Sequence, residues 1–216
     1  MYLRDYSVKR GGKLILNEIN ASFPSGRICH LLGRNGSGKS TFAKALAGLI
    51  PSEGFVGDVP RSIAVVGSYT NLPAGFTVSE IVSLSSNRAS KDSFNLLFSA
   101  LDLGSIDERR RYAQLSDGQK QKIKLLFFIS KGPSLLVLDE FTNALDGRTS
   151  REVQECLLRY CDSAQVVVIN ITHDVTDLKR MPGAYYVLED GLIDGGMSEA
   201  EAVGRYMGVG NAFAGA

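Results

Sequence analysis

The sequence predicts an α/β fold with a mainly parallel core sheet, and three patterns support this prediction. Apolar runs at 28–32, 62–66, 135–139 and 166–171 have the length of buried strands. Helical stretches separate these runs, which is typical of a parallel sheet covered on both faces. A glycine-rich turn follows the first run and leads into a predicted helix.

The N-terminal segment, residues 1–27, is expected to form an antiparallel β layer. Apolar residues recur at every second position in Leu14–Leu16 and in Ile19–Phe23. Turn residues stand at Gly11–Gly12 and Pro24–Gly26, where the chain would reverse between strands.

The turn after the first buried run has the spacing of a phosphate-binding loop. It reads Gly33-Arg34-Asn35-Gly36-Ser37-Gly38-Lys39-Ser40, and a predicted helix over Thr41–Leu49 follows it. Backbone N–H groups of such a turn can meet a polyphosphate, and side chains at its three glycines would block that approach. Lys39 would reach the β- and γ-phosphates, and the Ser40 hydroxyl would bind Mg²⁺. The loop therefore predicts a nucleoside triphosphate site.

The segment between Ser68 and Leu115 lacks strand patterns and is expected to be mostly helical. One helix face carries Phe94, Leu97, Phe98 and Leu101 at i, i+3, i+4 and i+7. We interpret this face as core rather than as a partner groove. An inserted helical subdomain over about 68–130 then lies within a single domain of residues 1–216. The Gly/Ala-rich tail, 207–216, is expected to be frayed.

A strand ending in two carboxylates lies farther along the chain, at Ser134–Glu140. The carboxyl ends of parallel strands open onto the ligand crevice. Asp139 is therefore placed to hold Mg²⁺, and Glu140 to polarise the water that attacks the γ-phosphate. A solvated turn would show the same pair, but the upstream phosphate loop favours the functional interpretation.

The segment Leu115-Ser116-Asp117-Gly118-Gln119 predicts the start of a helix that continues to Ile129. Ser116 and Gln119 have the spacing of a capping box. The free N–H groups of this helix end, its hydroxyl and the unobstructed Gly118 could together bind an anion. In isolation, the segment would indicate only an ordinary capped helix.

Together these motifs resemble the nucleotide-binding domain of ABC-type ATPases, which has a P-loop NTPase fold. The matching segments are the loop GRNGSGKST, the signature LSDGQ, the strand LLVLDE, Asn143-Ala144-Leu145-Asp146 and Ile171-Thr172-His173-Asp174. The resemblance runs from about Leu3 to Gly195. It implies that the phosphate loop of one protomer and the signature helix of another, with Ser116, Gly118 and Gln119, bind the same ATP.

The resemblance also assigns two further residues. His173 would contact the γ-phosphate, and Asp146 would act across the dimer interface. The closing segment Tyr185–Gly191 is similar to the family's final hairpin.

Three features depart from the family pattern. Ser68 stands where the family has a glutamine that helps to hold Mg²⁺ and water, which implies slower hydrolysis or altered coupling. Arg10 stands where an aromatic residue stacks on adenine; a guanidinium can also stack on a purine, and Tyr6 is a second candidate. Asp117 replaces the commoner signature glycine, and Phe141 replaces a commoner proline.

The resemblance implies an ATPase that energises an ABC transporter. Its membrane-spanning permease subunits would be separate chains, docked on the helical subdomain at the cytoplasmic face of the membrane, and the ATPase would pair as a homodimer or a heterodimer. The longest apolar runs are too short to cross a bilayer. A soluble ABC ATPase and a weakly hydrolysing, ATP-gated dimerisation switch are the alternatives.

The net charge and the spacing of the cysteines bear on which partners and metal sites the chain is expected to have. The formal net charge is +1, which argues against a nucleic-acid partner. Cys29, Cys156 and Cys161 lack the spacing of metal ligands and are expected to be reduced structural thiols.

Overall fold

The structure, a computed structural model, describes residues 1–87, 91–143 and 145–208. The strands are β1 (Tyr2–Arg10), β2 (Lys13–Ser22), β3 (Ile28–Leu32), β4 (Glu53–Gly57), β5 (Ile63–Gly67), β6 (Leu135–Asp139), β7 (Val167–Ile171), β8 (Gly183–Glu189) and β9 (Leu192–Met197). The helices are α1 (Lys39–Leu46), α2 (Val78–Ser86), α3 (Lys91–Ala100), α4 (Asp117–Ile129), α5 (Gly147–Ala164), α6 (Val175–Arg180) and α7 (Glu199–Met207). Two 3₁₀ turns, Leu103–Ser105 and Tyr112–Gln114, connect α3 to α4.

The core sheet has the strand order β5-β6-β7-β3-β8-β9, and all its neighbouring pairs are parallel except β8 and β9. Every residue of β3, β6 and β7 is buried. Helices cover one face of these strands, and α1 together with β1 and β2 covers the other, so the strand sequences are continuously apolar rather than alternating. The predicted α/β class is confirmed; two of the four predicted strands begin one residue later than expected, at Ile63 and Val167.

The N-terminal layer is a separate antiparallel sheet with the order β2-β1-β4. The antiparallel layer was predicted, but β4 was not, because its sequence EGFVG is short and rich in glycine. A Cβ at Gly54 would lie 2.4 Å from the Asp5 carbonyl oxygen, and one at Gly57 would overlap the Tyr2 ring. The two glycines therefore allow β4 to lie close against β1.

The helices α2, α3 and α4 fall within the predicted helical subdomain, about 68–130. In the predicted apolar face, Leu97 and Leu101 are buried, and Phe94 and Phe98 pack against the same core cluster. The interpretation of this face as core is confirmed. Helix α1 ends at Leu46, earlier than expected, because Gly48 adopts a left-handed φ of +71° that terminates it.

The C-terminal part of the chain contains the expected hairpin, β8–β9, and one helix that was not predicted. Helix α7 begins with a capping box of Ser198 and Glu201, and Ala202 packs on the sheet beside Leu32 and Val187. In the predicted frayed tail, Met207 still belongs to α7. Residues 209–216 and Ala144 lie outside the described residues.

All three cysteines are buried and free, as expected. Burial raises the pKa of Cys29 and that of Cys156 to about 12, so both remain neutral thiols. Within the described ranges, no helix is both long and apolar enough to cross a membrane.

Candidate functional site

The predicted phosphate loop connects the end of β3 to the start of α1. Gly36 and Gly38 have left-handed φ values of +84° and +109°, which side-chain-bearing residues rarely adopt. A Cβ at Gly33 would lie 2.6 Å from the Leu188 carbonyl oxygen. No described side chain caps α1 at Gly38, so the first N–H groups of the helix are available to an anion.

Lys39 lies inside this loop and is only 6% exposed. Its Nζ donates to the carbonyl oxygens of Gly33, at 2.6 Å, and Arg34, at 3.0 Å. Burial lowers the pKa of Lys39, and the charges of Glu140 and Asp139 raise it. The ammonium group is thus held within the loop, near two carboxylates.

The other loop residues from the sequence prediction occupy the same turn. Asn35 is exposed, Thr41 is buried, and the buried Ser37 hydroxyl oxygen has no hydrogen-bond partner among the described residues.

Asp139 ends β6 beside the loop and is 5% exposed. In register, it pairs with Gly67 of β5 and Ile171 of β7. Burial raises the pKa of Asp139, and a hydrogen bond from the Ser40 side chain lowers it. Its Oδ1 has no hydrogen-bond partner within the described part of the chain. An orphaned carboxylate oxygen beside a hydroxyl is a donor set that fits Mg²⁺.

Glu140 and His173 meet at the same edge of the sheet, although 32 residues lie between them in the sequence. Glu140 Oε1 lies 3.4 Å from His173 Nδ1, and Glu140 Oε2 accepts from Asn143 Nδ2 at 3.3 Å. Glu140 has a left-handed φ of +52°, a backbone conformation that is rare outside glycine and concentrates at functional sites. Both side chains are partly exposed to the crevice.

A buried carboxylate that no sequence pattern indicated, Asp177, joins the loops on either side of this pair. Asp177 is 1% exposed. It accepts hydrogen bonds from Thr142 Oγ1 at 2.9 Å, Thr172 Oγ1 at 2.9 Å and Gln154 Nε2 at 2.6 Å. A buried carboxylate is tolerated when several donors satisfy it.

These bonds fix the backbone on which the crevice side chains stand. Thr142 lies two residues after Glu140, and Thr172 immediately precedes His173. The Thr172 hydroxyl also accepts from the Asp174 N–H at 3.0 Å. The backbone around His173 is therefore held from both sides, although nothing in the sequence distinguishes Asp177 from a solvated helix residue.

A second missed residue, Lys124, lies on the apolar face of α4 and is 4% exposed. Its Nζ donates to the carbonyl oxygens of Gly67, at 2.9 Å, and Thr70, at 3.0 Å. Burial lowers its pKa. A lysine among apolar neighbours such as Ile123 was the signal that could have identified it.

The signature segment begins α4 with the predicted capping box. Ser116 Oγ accepts from the Gln119 N–H at 3.3 Å, and Gln119 Oε1 accepts from the Ser116 N–H at 3.1 Å. The Asp117 side chain is exposed and lies 3.4 Å from Lys120 Nζ, so this additional carboxylate is solvated in the first helical turn. A Cβ at Gly118 would meet nothing closer than 3.7 Å.

Asp146 caps the neighbouring helix α5. It accepts from the N–H groups of Arg148, at 2.9 Å, and Thr149, at 3.0 Å. Hydrogen bonds from Thr149 lower the pKa of Asp146. Asp146, Gly118 and Ser116 line one groove of about 390 Å³. Residues of the phosphate loop do not line this groove, so one chain presents the two predicted halves of the site separately.

A larger cavity, of about 530 Å³, lies beside the phosphate loop. It is lined by Lys13–Ile15, Gly33–Ser37, Val187–Gly191, Arg205 and Tyr206. Arg10 is exposed at the end of β1 and does not line this cavity. Tyr6 as a second base-stacking candidate is wrong, because it is 2% exposed and packs edge-on against Phe42 in the core.

The model of the ABC transporter family matches residues 16–143. This range contains the phosphate loop, the signature segment and both strand-end carboxylates. The chain belongs to the ABC transporter family. It is an ATP-binding protein of the ABC ATPase class.

Two relatives illustrate the range of this ABC family. "Probable peptide export ATP-binding protein YydI" of Bacillus subtilis is 35% identical over 189 residues, covering 87% of this chain and 90% of that protein. "Aliphatic sulfonates import ATP-binding protein SsuB 1" of Paracoccus denitrificans is 34% identical over 187 residues, covering 85% of this chain and 76% of that protein. Among solved structures, an ATP-binding subunit of an ABC transporter superposes with a TM-score of 0.80 at 21% identity, covering 98% of this chain and 94% of that chain.

Proposed function

We propose that the chain hydrolyses ATP to energise a transporter whose membrane-spanning subunits are separate chains. The observation that carries this proposal is the convergence of Lys39, Asp139, Glu140 and His173 around one glycine-rich loop. These groups come from three distant parts of the sequence, and the parallel sheet brings them to a single edge.

The phosphate loop would bind the triphosphate through its backbone N–H groups and the start of α1. Lys39 would exchange its bonds to the Gly33 and Arg34 carbonyls for bonds to the phosphates. Ser40 and Asp139 would hold Mg²⁺, which supplies charge neutralisation to the β- and γ-phosphates when bound.

Glu140 would accept a hydrogen bond from the attacking water and polarise it toward the γ-phosphate. The 3.4 Å approach to His173 Nδ1 orients this carboxylate. His173, on the next strand end, would contact the γ-phosphate through its other ring nitrogen. The strained φ of Glu140 directs its side chain into the crevice.

The groove at Ser116, Gly118, Gln119 and Asp146 would receive the nucleotide bound by a second protomer. The partner is a second copy of this chain or another ATPase subunit. Its phosphate loop would meet the exposed start of α4, where the N–H groups favour an anion. Permease subunits would dock on the helical segment near Ser68, at the cytoplasmic side of the membrane.

Ser68 favours one second candidate, an ATP-gated dimerisation switch with slow turnover. In this reading, ATP binding closes the dimer, and hydrolysis only resets it. Steady-state turnover separates the two functions, because a transporter ATPase must cycle repeatedly.

The test is phosphate release from purified protein with ATP and Mg²⁺. Glu140→Gln removes the negative charge but keeps the shape, and we expect turnover to fall by about 10²- to 10⁴-fold with ATP binding retained. Equal rates of phosphate release in the parent and in Glu140→Gln would show that Glu140 does not polarise the attacking water. Failure of both proteins to bind ATP would overturn the proposed function.

A further inference from the structure

The loop after β5 is fixed in place although it lacks the glutamine expected at position 68. Lys124 donates to the carbonyl oxygens of Gly67 and Thr70, which lie on either side of Ser68 and Tyr69. Thr70 Oγ1 also accepts from the Gly67 N–H at 2.9 Å. The Ser68 side chain is exposed. Burying a lysine costs free energy unless its ammonium group is hydrogen-bonded. The two bonds to the carbonyls offset this cost and fix the backbone of the loop.

Tyr69, which follows Ser68, directs its hydroxyl toward Asp139 at the end of β6. Its hydroxyl is buried and has no hydrogen-bond partner among the described residues, and the same holds for Asp139 Oδ1. A Cβ at Gly67 would lie 3.1 Å from Asp139 Cβ and 3.4 Å from Tyr69 Cε1, so Gly67 contacts both residues. A donor and an acceptor, both orphaned, therefore lie beside each other.

One further contact fixes the ring of this tyrosine. Lys44 Nζ lies 4.6 Å from the centroid of the Tyr69 ring, which is the geometry of a cation–π contact. A phenol carries its proton at neutral pH, so the buried Tyr69 hydroxyl can donate a hydrogen bond.

We propose that Tyr69 takes the place of the missing glutamine as a positioning residue. Its hydroxyl donates to the Asp139 carboxylate and orients the oxygen that holds the metal ion. Lys124 fixes the position of the loop backbone on which Tyr69 stands. Ser68 contributes no side chain to this site. The inference rests on the proposed function, because Asp139 must be a metal ligand for Tyr69 to act through it.

The test measures metal binding rather than turnover. Mn²⁺ replaces Mg²⁺, and its affinity is measured by electron paramagnetic resonance with a non-hydrolysable ATP analogue bound. Tyr69→Phe removes only the hydroxyl and keeps the ring against Lys44. We expect the Mn²⁺ affinity to fall by about three- to tenfold, the effect of one buried hydrogen bond. Analogue affinity in the absence of metal should stay unchanged.

Two further variants separate the possible failures. Ser68→Ala is the matched control and should bind Mn²⁺ as the parent does. Asp139→Asn should abolish this binding; if it does not, both the metal site of the proposed function and the role of Tyr69 are overturned. If Asp139→Asn abolishes binding but Tyr69→Phe matches the parent, or Ser68→Ala weakens binding as much, only the role of Tyr69 is overturned.

Discussion

The phosphate-loop edge and the signature end of α4 are built in opposite ways. At the phosphate-loop edge, the buried groups Lys39 and Asp139 come from elements far apart in the sequence and lie near enough for their charges to interact. At the signature end, Ser116 and Asp146 are exposed, and their side-chain hydrogen bonds among the described residues stay within their own helix starts. The sheet assembles the first region within one chain, whereas the second offers an open groove. The open groove is consistent with the proposal that the second region binds a nucleotide held by a partner protomer.

The largest effect on ATP binding is expected at the phosphate-loop edge, from Lys39→Met. The substitution keeps the length of the side chain but removes the charge, so ATP binding should weaken by about ten- to hundredfold, the effect of losing charge-assisted hydrogen bonds. Isothermal titration with ATP and Mg²⁺ measures this change. Lys9→Met, at an exposed ion pair with Glu53, is the control, and equal affinities would contradict the assignment of Lys39.

A smaller effect is expected from the buried network behind the edge. Thr172→Val removes the hydroxyl bonded to Asp177 and keeps the shape of the side chain. Turnover should fall by about three- to tenfold with ATP affinity unchanged, since one hydrogen bond fixes the backbone at His173. Phosphate release measures turnover.

Nuclear magnetic resonance of the histidine rings gives a second readout for this variant. The chain has only 2 histidines, and the ring signal of His173 should change in Thr172→Val because its approach to Glu140 loosens. Thr176→Val removes a hydroxyl bonded to Asp174 in the same segment. If this control slows turnover as much as Thr172→Val does, the network has no specific role.

Gly118→Ala is expected to have the smallest effect on free energy. It also gives the sharpest contrast between the phosphate-loop edge and the signature end. The added Cβ has room, and Gly118 lies in a helix, so the free energy of unfolding should rise by about 0.5 kcal/mol. Turnover should fall, because the methyl group obstructs the approach of a partner's nucleotide. Urea unfolding and phosphate release give the two values.

Gly204→Ala is the matched variant for this contrast. Gly204 also lies in a helix with open space around it, on α7. It should raise stability to a similar extent and leave turnover unchanged. A Gly118→Ala protein that is both more stable and fully active would show that the signature end binds no partner nucleotide.

The sequence was most informative where local pattern and chemistry coincide. The buried strands were predicted to within one residue because they are covered on both faces. The capping box at Ser116 was predicted because it depends only on residues three apart. The strand β4 was missed because its pairing with β1 depends on close approach at two glycines rather than on alternation.

The same distinction explains what was missed at the site. Asp177 works through contacts between distant elements that no spacing in the sequence reveals. Lys124 was marked by its apolar neighbours, but its partners, the carbonyls of Gly67 and Thr70, were not. Tyr6 was misassigned because its face on β1 is decided by packing against Phe42. Motifs thus predicted the groups in the crevice, whereas the residues that hold those groups in place required the three-dimensional arrangement.

Sedimentation analysis of Glu140→Gln with saturating ATP and Mg²⁺ tests most directly whether two protomers share a nucleotide. The hydrolysis-deficient protein should sediment at twice the protomer mass with ATP and at the protomer mass with ADP. The Gly118→Ala substitution, added to it, should weaken the dimer. Sedimentation at the protomer mass under saturating ATP would contradict the proposal that two copies of this chain share a nucleotide.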